Sequence, residues 1–107
     1  MKTVHAMIPP HALDAARRAL ERHAVLGMTV SEVLGPSPNG QRTIQRGQVV
    51  QDSFTPCLRL EAIVHDELVD RVVDEIAAAV HPEGRLWVTP LDVVLRVRTG
   101  ERGEDAV

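Results

Sequence analysis

An α+β fold, one antiparallel sheet with two helices on a single face, is predicted by three observations. Apolar residues alternate with polar ones in several short runs; they recur at helical spacing in two longer runs; and the runs follow the order strand, helix, strand on either side of a stretch with weak periodicity. At 107 residues, with 44% hydrophobic and 25% charged side chains, the chain suits one small globular domain, residues 1–107, rather than a disordered segment.

The elements follow in order. Val4, Ala6 and Ile8 alternate with Thr3, His5 and Met7 as in a strand, and Pro9-Pro10 forbids continuing the ladder. Leu13, Ala16, Leu20 and Ala24 mark one face of a helix over 11–23, with Arg17, Arg18, Glu21 and Arg22 on the other. Gly27 opens a second strand, Met28 to Leu34, which Gly35 should end. Residues 36–53 carry two prolines, two glycines and a run of Gln, Arg and Thr, and read as a long loop; a loop of that length in so small a domain is more often functional than accidental. A third strand is predicted over Cys57–Val64. Leu68, Val69, Val72, Val73, Ile76, Ala77 and Val80 then trace a second helix, with Asp66 placed to cap it, ending near His81-Pro82. Gly84 turns the chain into Arg85-Leu86-Trp87-Val88, and a last extended run, Val93–Arg98, follows Pro90. This order is that of the ferredoxin-like split βαβ unit, βαββαβ, whose second sheet face is left open and needs a cover; a second subunit is the simplest.

Composition points the same way. Phe54 and Trp87 are the only aromatic side chains, so the core is aliphatic, and a domain of this size buries only roughly 60–68% of its unfolded surface. Subunit contacts are therefore expected. Twelve Lys+Arg against fifteen Asp+Glu give a net charge of −3, which offers no basic field for nucleic acid or an anionic membrane. Neither a secretory signal nor a membrane-spanning run is legible, and a cytoplasmic location is expected. A single cysteine, Cys57, excludes an internal disulfide framework and a thiolate-rich metal site within one chain. It reads as a small strand hydrophobe or as a redox thiol.

Arg96 and Arg98 stand two apart on the predicted last strand, so their guanidinium groups leave one face and can grip a phosphate between them, or else form a solvated charged face. His5, His11, His23, His65 and His81 show no ligand spacing, so no metal site is expected. Asp92 and Glu61 are the only acid–base partners that suggest themselves, nothing brings them together, and the chain is not read as an enzyme.

The tail Arg98-Thr99-Gly100-Glu101-Arg102-Gly103-Glu104-Asp105-Ala106, the segment Gly27-Met28-Thr29-Val30-Ser31-Glu32-Val33 and Ile8-Pro9-Pro10 resemble the PII signal-transduction family over nearly the whole chain. The resemblance implies a homotrimer that binds adenine nucleotides (ADP, AMP or ATP) in clefts between subunits and signals occupancy through a T-loop, here about 36–53. It places Met7, Gly27, Met28, Thr29, Glu61 and Ile63 around base and ribose, and Gly84, Arg85, Arg96 and Arg98 toward the phosphates. Arg85 stands where the family has lysine and adds a planar fork. The C-terminal tail is 99–107.

Departures from the family pattern carry further expectations. The B-loop, about 81–85, is shortened to His81-Pro82-Glu83-Gly84, and Glu83 adds negative charge beside the phosphate end, so ADP or AMP should bind at least as well as ATP. The family's modifiable tyrosine aligns with Val50 and its modifiable serine with Gln48; neither can be uridylylated or phosphorylated. The glutamine that helps hold magnesium aligns with Asn39 and the lysine that pairs 2-oxoglutarate with Cys57, which argues against that ligand and leaves magnesium unassigned. A divergent branch associated with carboxysomes and inorganic carbon suggests bicarbonate instead, held by Gln45, Arg46 and Arg59. The regulated partner would be a transporter, an enzyme or a carboxysome component. Alternatives are a nitrogen-regulatory PII protein sensing ATP and ADP, a slow nucleotide phosphatase, and a copper-tolerance trimer without the nucleotide site.

Overall fold

The computed structural model describes the backbone of residues 1–25, 27–36, 42–45, 47–51 and 54–107, with side chains described outside 36, 42–45 and 48–51. Four strands form one antiparallel sheet: β1 (Lys2–Ile8), β2 (Met28–Pro36), β5 (Phe54–Val64) and β6 (Arg85–Pro90), in the order β2-β5-β1-β6. Two helices, α1 (Leu13–Arg22) and α2 (Val69–Val80), cover one face. The ferredoxin-like α+β class is as the sequence predicts.

The core forms where two periodicities meet. Val4, Ala6 and Ile8 of β1 and Leu58, Leu60, Ala62 and Val64 of β5 point to one side, onto Ala16, Ala19 and Leu20 of α1 and Val72, Ile76 and Val80 of α2. Burying each larger aliphatic side chain contributes ~1.5–3 kcal/mol, and no aromatic ring takes part. Ala77 lies on the exposed side of α2, outside the stripe the sequence suggests. The helices are also linked through Glu75, whose carboxylate accepts from His23 Nε2 at 2.7 Å and Arg22 Nε at 3.1 Å. The His23 hydrogen bond is the main reason Glu75 titrates below its ordinary range.

Several boundaries differ from the sequence reading. A 3₁₀ turn, Pro10–Ala12, precedes α1, and Ala24 lies beyond the helix with φ of 59°. There Ala24 N–H donates to the Glu21 carbonyl and Val25 N–H to the Leu20 carbonyl, a left-handed termination that satisfies the last carbonyls. Asp66 does not cap α2: it starts another 3₁₀ turn, Asp66–Leu68, and its carboxylate instead accepts from the Met1 amino group at 2.6 Å. Gly35 does not end β2, which runs to Pro36, and β5 begins three residues before Cys57. The segment read as an irregular loop contains an antiparallel hairpin, β3 (Arg42–Gln45) and β4 (Gln48–Gln51), turned at Gly47 with φ of 77°. Register sets Thr43 opposite Val50 and Ile44 opposite Val49, residue types with high strand propensity inside an otherwise polar segment.

Candidate functional site

The open sheet face is built from the alternate residues of the same strands. Register aligns Thr29, Glu61, His5 and Trp87 in one row and Ser31, Arg59, Met7 and Arg85 in the next. Sequence reasoning missed the network this creates, because it depends on pairing register. Arg59 Nε lies 3.1 Å from Glu61 Oε1, His5 Nδ1 lies 3.7 Å from the same oxygen, and His5 Nε2 shares a hydrogen bond of 2.9 Å with Thr89 Oγ1. The His5 ring stacks on Trp87, centroids 5.2 Å apart and 4° from parallel.

Two depressions lie at opposite ends of these strands. The larger, about 650 Å³, is bounded by Met7, Gly35, Cys57, Arg59, Trp87 and the turn Pro82–Arg85. Gly84 makes its wall possible: with φ of 135°, a Cβ there would meet Val80 Cγ2 at 3.1 Å and the Met7 carbonyl oxygen at 3.2 Å. Gly35 is equally constrained, since a Cβ would lie 2.8 Å from Cys57 Sγ. Arg85 is exposed and has no carboxylate within ion-pair distance among the described residues, and Glu83 is the acidic side chain of the lining. The smaller depression, about 390 Å³, is lined by Gly27, Met28, Thr29, Glu61 and Ile63, together with Thr3 and Ala62.

The residues assigned to a nucleotide thus fall into three places. Gly27, Met28, Thr29, Glu61 and Ile63 come together in the smaller depression. Met7, assigned with them, lies instead with Gly84 and Arg85 in the larger one, four residues along β1 from Thr3, or roughly 13 Å. Arg96 and Arg98 line neither, and they do not sit on a strand. Residues 94–103 fold back on themselves: Gly103 N–H donates to the Val94 carbonyl (3.0 Å), Arg96 N–H to Glu101 (2.9 Å) and Gly100 N–H to Arg96 (2.7 Å). Gly100 at φ of 76° allows the reversal, so the two guanidinium groups belong to the tip of a turn rather than to one strand face.

Of the residues assigned to bicarbonate, Arg59 is paired with Glu61, Gln45 lies in β3 with only its backbone described, and Arg46 lies outside the described residues, as does Asn39. Gln48 and Val50 lie in β4, described by backbone alone. Among the described residues, no group of three or more His, Cys, Asp or Glu side chains could hold a metal ion, and no helix is long and apolar enough to cross a membrane.

Charge at the start of the chain organises its end. The Met1 amino group lies 2.6 Å from Asp66 Oδ1 and 3.5 Å from Glu104 Oε1, and Lys2 Nζ lies 3.2 Å from Asp66. Glu104 also contacts His65 Nδ1. Glu104 is held below its ordinary range chiefly by His65, Asp66 chiefly by the amino group, and the amino group is raised chiefly by Asp66.

A profile described as Nitrogen regulatory protein P-II matches residues 1–101. Proteins of that name from Nostoc punctiforme, Synechocystis and Azospirillum brasilense are similar to this chain at 40%, 38% and 36% identity over alignments of 112 residues, each covering 100% of both sequences. With the split βαβ sheet and a match over residues 1–101, the chain belongs to the P-II family of regulatory proteins.

Proposed function

We propose that this protein is a PII-type signalling protein that binds an adenine nucleotide at a seam between identical subunits and reports occupancy to a partner through residues 36–53. The observation that carries the reading is the division of eight of the ten assigned residues between two depressions at opposite ends of one sheet face, with Arg96 and Arg98 on a turn outside both. A base-side group with Thr29 and Glu61 and a phosphate-side group with Arg85 make one complete site if the smaller depression of one copy meets the larger one of the next. The polar and aromatic surface between them, with the Arg59–Glu61–His5–Thr89 network and the His5–Trp87 stack, supplies the face for that contact.

Glu83 beside Arg85 argues that added phosphates gain little, so ADP or AMP binds at least as tightly as ATP. The only tryptophan lines the larger depression and the chain has no tyrosine, so Trp87 fluorescence reports on this site. Calorimetric titration with AMP, ADP and ATP, paired with sedimentation analysis, is the test. Arg85→Ala should weaken ADP binding, and a monomer, or ATP clearly tightest of the three, would count against the reading. The names of the relatives support regulation of nitrogen metabolism, and we put that reading ahead of inorganic carbon, whose one described candidate side chain, Arg59, is engaged by Glu61. Bicarbonate that altered nucleotide affinity or protease sensitivity of 36–53 would reverse that order. A regulatory role, in the cytoplasm and without bond breaking, predicts no ADP release from ATP in single-turnover assays.

A further inference from the structure

The arginine turn is held by few apolar contacts. No residue of the closing 3₁₀ turn, Gly103–Ala106, is buried, and Arg96 and Arg98 are exposed. Backbone hydrogen bonds between Val94 and Gly103 and between Arg96 and both Gly100 and Glu101 make the turn one unit, so its direction is set at its base. At that base Glu104 reaches His65, on the loop after β5, and the Met1 amino group.

We propose that His65 and Glu104 form a proton-dependent clasp that positions the Arg96–Arg98 turn for its phosphate contact. This rests on the nucleotide reading above, with the phosphate role that the family resemblance implies for these arginines. A hairpin free to pivot at its stem presents its guanidinium groups correctly only part of the time, and apparent affinity falls by that fraction. The clasp raises the fraction. A protonated imidazole facing Glu104 makes the contact a charge-assisted hydrogen bond, roughly twice as strong as a neutral one, and histidine is the side chain that changes charge near neutrality. The other charged groups are the Met1 amino group, which faces both Glu104 and Asp66, and Lys2, which faces Asp66. The amino group is held above its ordinary range chiefly by Asp66, so of the kinds of group gathered here histidine is the one that changes charge first as pH rises. Loss of its proton loosens the clasp, and nucleotide affinity falls as pH rises from 6 to 8.

The experiment is calorimetric titration of the full chain with ADP at pH 6 and pH 8. Glu104→Gln and His65→Gln should each weaken binding by about two- to fivefold at pH 6 and flatten the difference between the two pH values, relative to the unaltered protein. Titration of the ligand's own phosphate cancels in that comparison. The exchanged pair His65→Glu with Glu104→His should restore both affinity and pH dependence, which a loss of folding would not. Hydrogen exchange at Gly100 and Gly103 should quicken in the single variants. Arg96→Ala with Arg98→Ala separates the two ideas: if it abolishes ADP binding while Glu104→Gln leaves affinity and pH profile unchanged, the clasp is wrong and the nucleotide reading stands. If it leaves ADP binding intact, both are overturned.

Discussion

Replacing Gly35 by alanine tests whether the larger depression is shaped by close packing across β2 and β5. The added Cβ would lie 2.8 Å from Cys57 Sγ and 3.6 Å from Met7 Cε. The favourable spacing of non-bonded heavy atoms is ~3.5–4.0 Å, so the thiol must retreat by roughly 1 Å. Cys57 has one side-chain torsion and sits on an interior strand, so the retreat takes it off its rotamer, at ~0.5–1.5 kcal/mol, within the ~1–3 kcal/mol usual for overpacking. Gly35→Ala is therefore expected to destabilise the fold by ~1–2 kcal/mol, read as a lower urea midpoint with unchanged slope at fixed protein concentration. Cys57→Ala removes the obstructing atom. The double variant should be more stable than the sum of the single effects predicts, with a coupling of ~1 kcal/mol. Additivity within ~0.3–0.5 kcal/mol would refute the argument, because it would mean that the thiol does not restrict position 35.

Three further outcomes are expected. Ala24→Gly should stabilise the protein by ~0.5–1 kcal/mol, since alanine is strained at φ of 59° and glycine is not; an unchanged or lower thermal midpoint would contradict this. Gly84→Ala should cost ~1–3 kcal/mol and weaken ADP binding as well, because relief of the contact with the Met7 carbonyl displaces Arg85; wild-type stability would count against the assigned backbone strain. Asp66, Glu75 and Glu104 titrate lower in the folded protein than in the unfolded chain, so their contribution is whole above the ordinary carboxylate range and is lost as pH falls below about 4. Thermal midpoints between pH 3 and 7 should show that fall, shallower in Glu75→Gln; the Met1 amino group, raised on folding, contributes below about pH 8 and loses its effect above it.

How far the fold can be read from residues alone depends on whether burial or pairing decides the element. The strands β1 and β5 and both helices declare themselves because one face of each meets the core, and Val4, Ala6, Ile8 or Val72, Ile76, Val80 repeat at the spacing that burial demands. The β3–β4 hairpin carries a fainter signal: Thr43-Ile44 and Val49-Val50 around Gly47 fit a tight turn, but the surrounding Gln and Arg residues mask the alternation. The run Val93–Arg98 has the composition of a strand, yet Gly100 and Gly103, both at positive φ, turn it back on itself. The set in the smaller depression came from the family resemblance rather than from spacing, and register then sets Glu61 opposite Thr29. The Arg59–Glu61–His5–Thr89 network was not legible, since it joins three strands whose relative register no single stretch encodes.

Both depressions are carved from β1 and β5, neighbours whose seven paired positions run without a bulge from Lys2 opposite Val64 to Ile8 opposite Leu58. A hydrogen-bonded pair of this kind behaves as a rigid ruler: it neither stretches nor compresses when something settles at one end. Any message between the ends of the ruler must therefore travel outside that pair, as along β2, which ends at Pro36 opposite the start of β5 at Phe54.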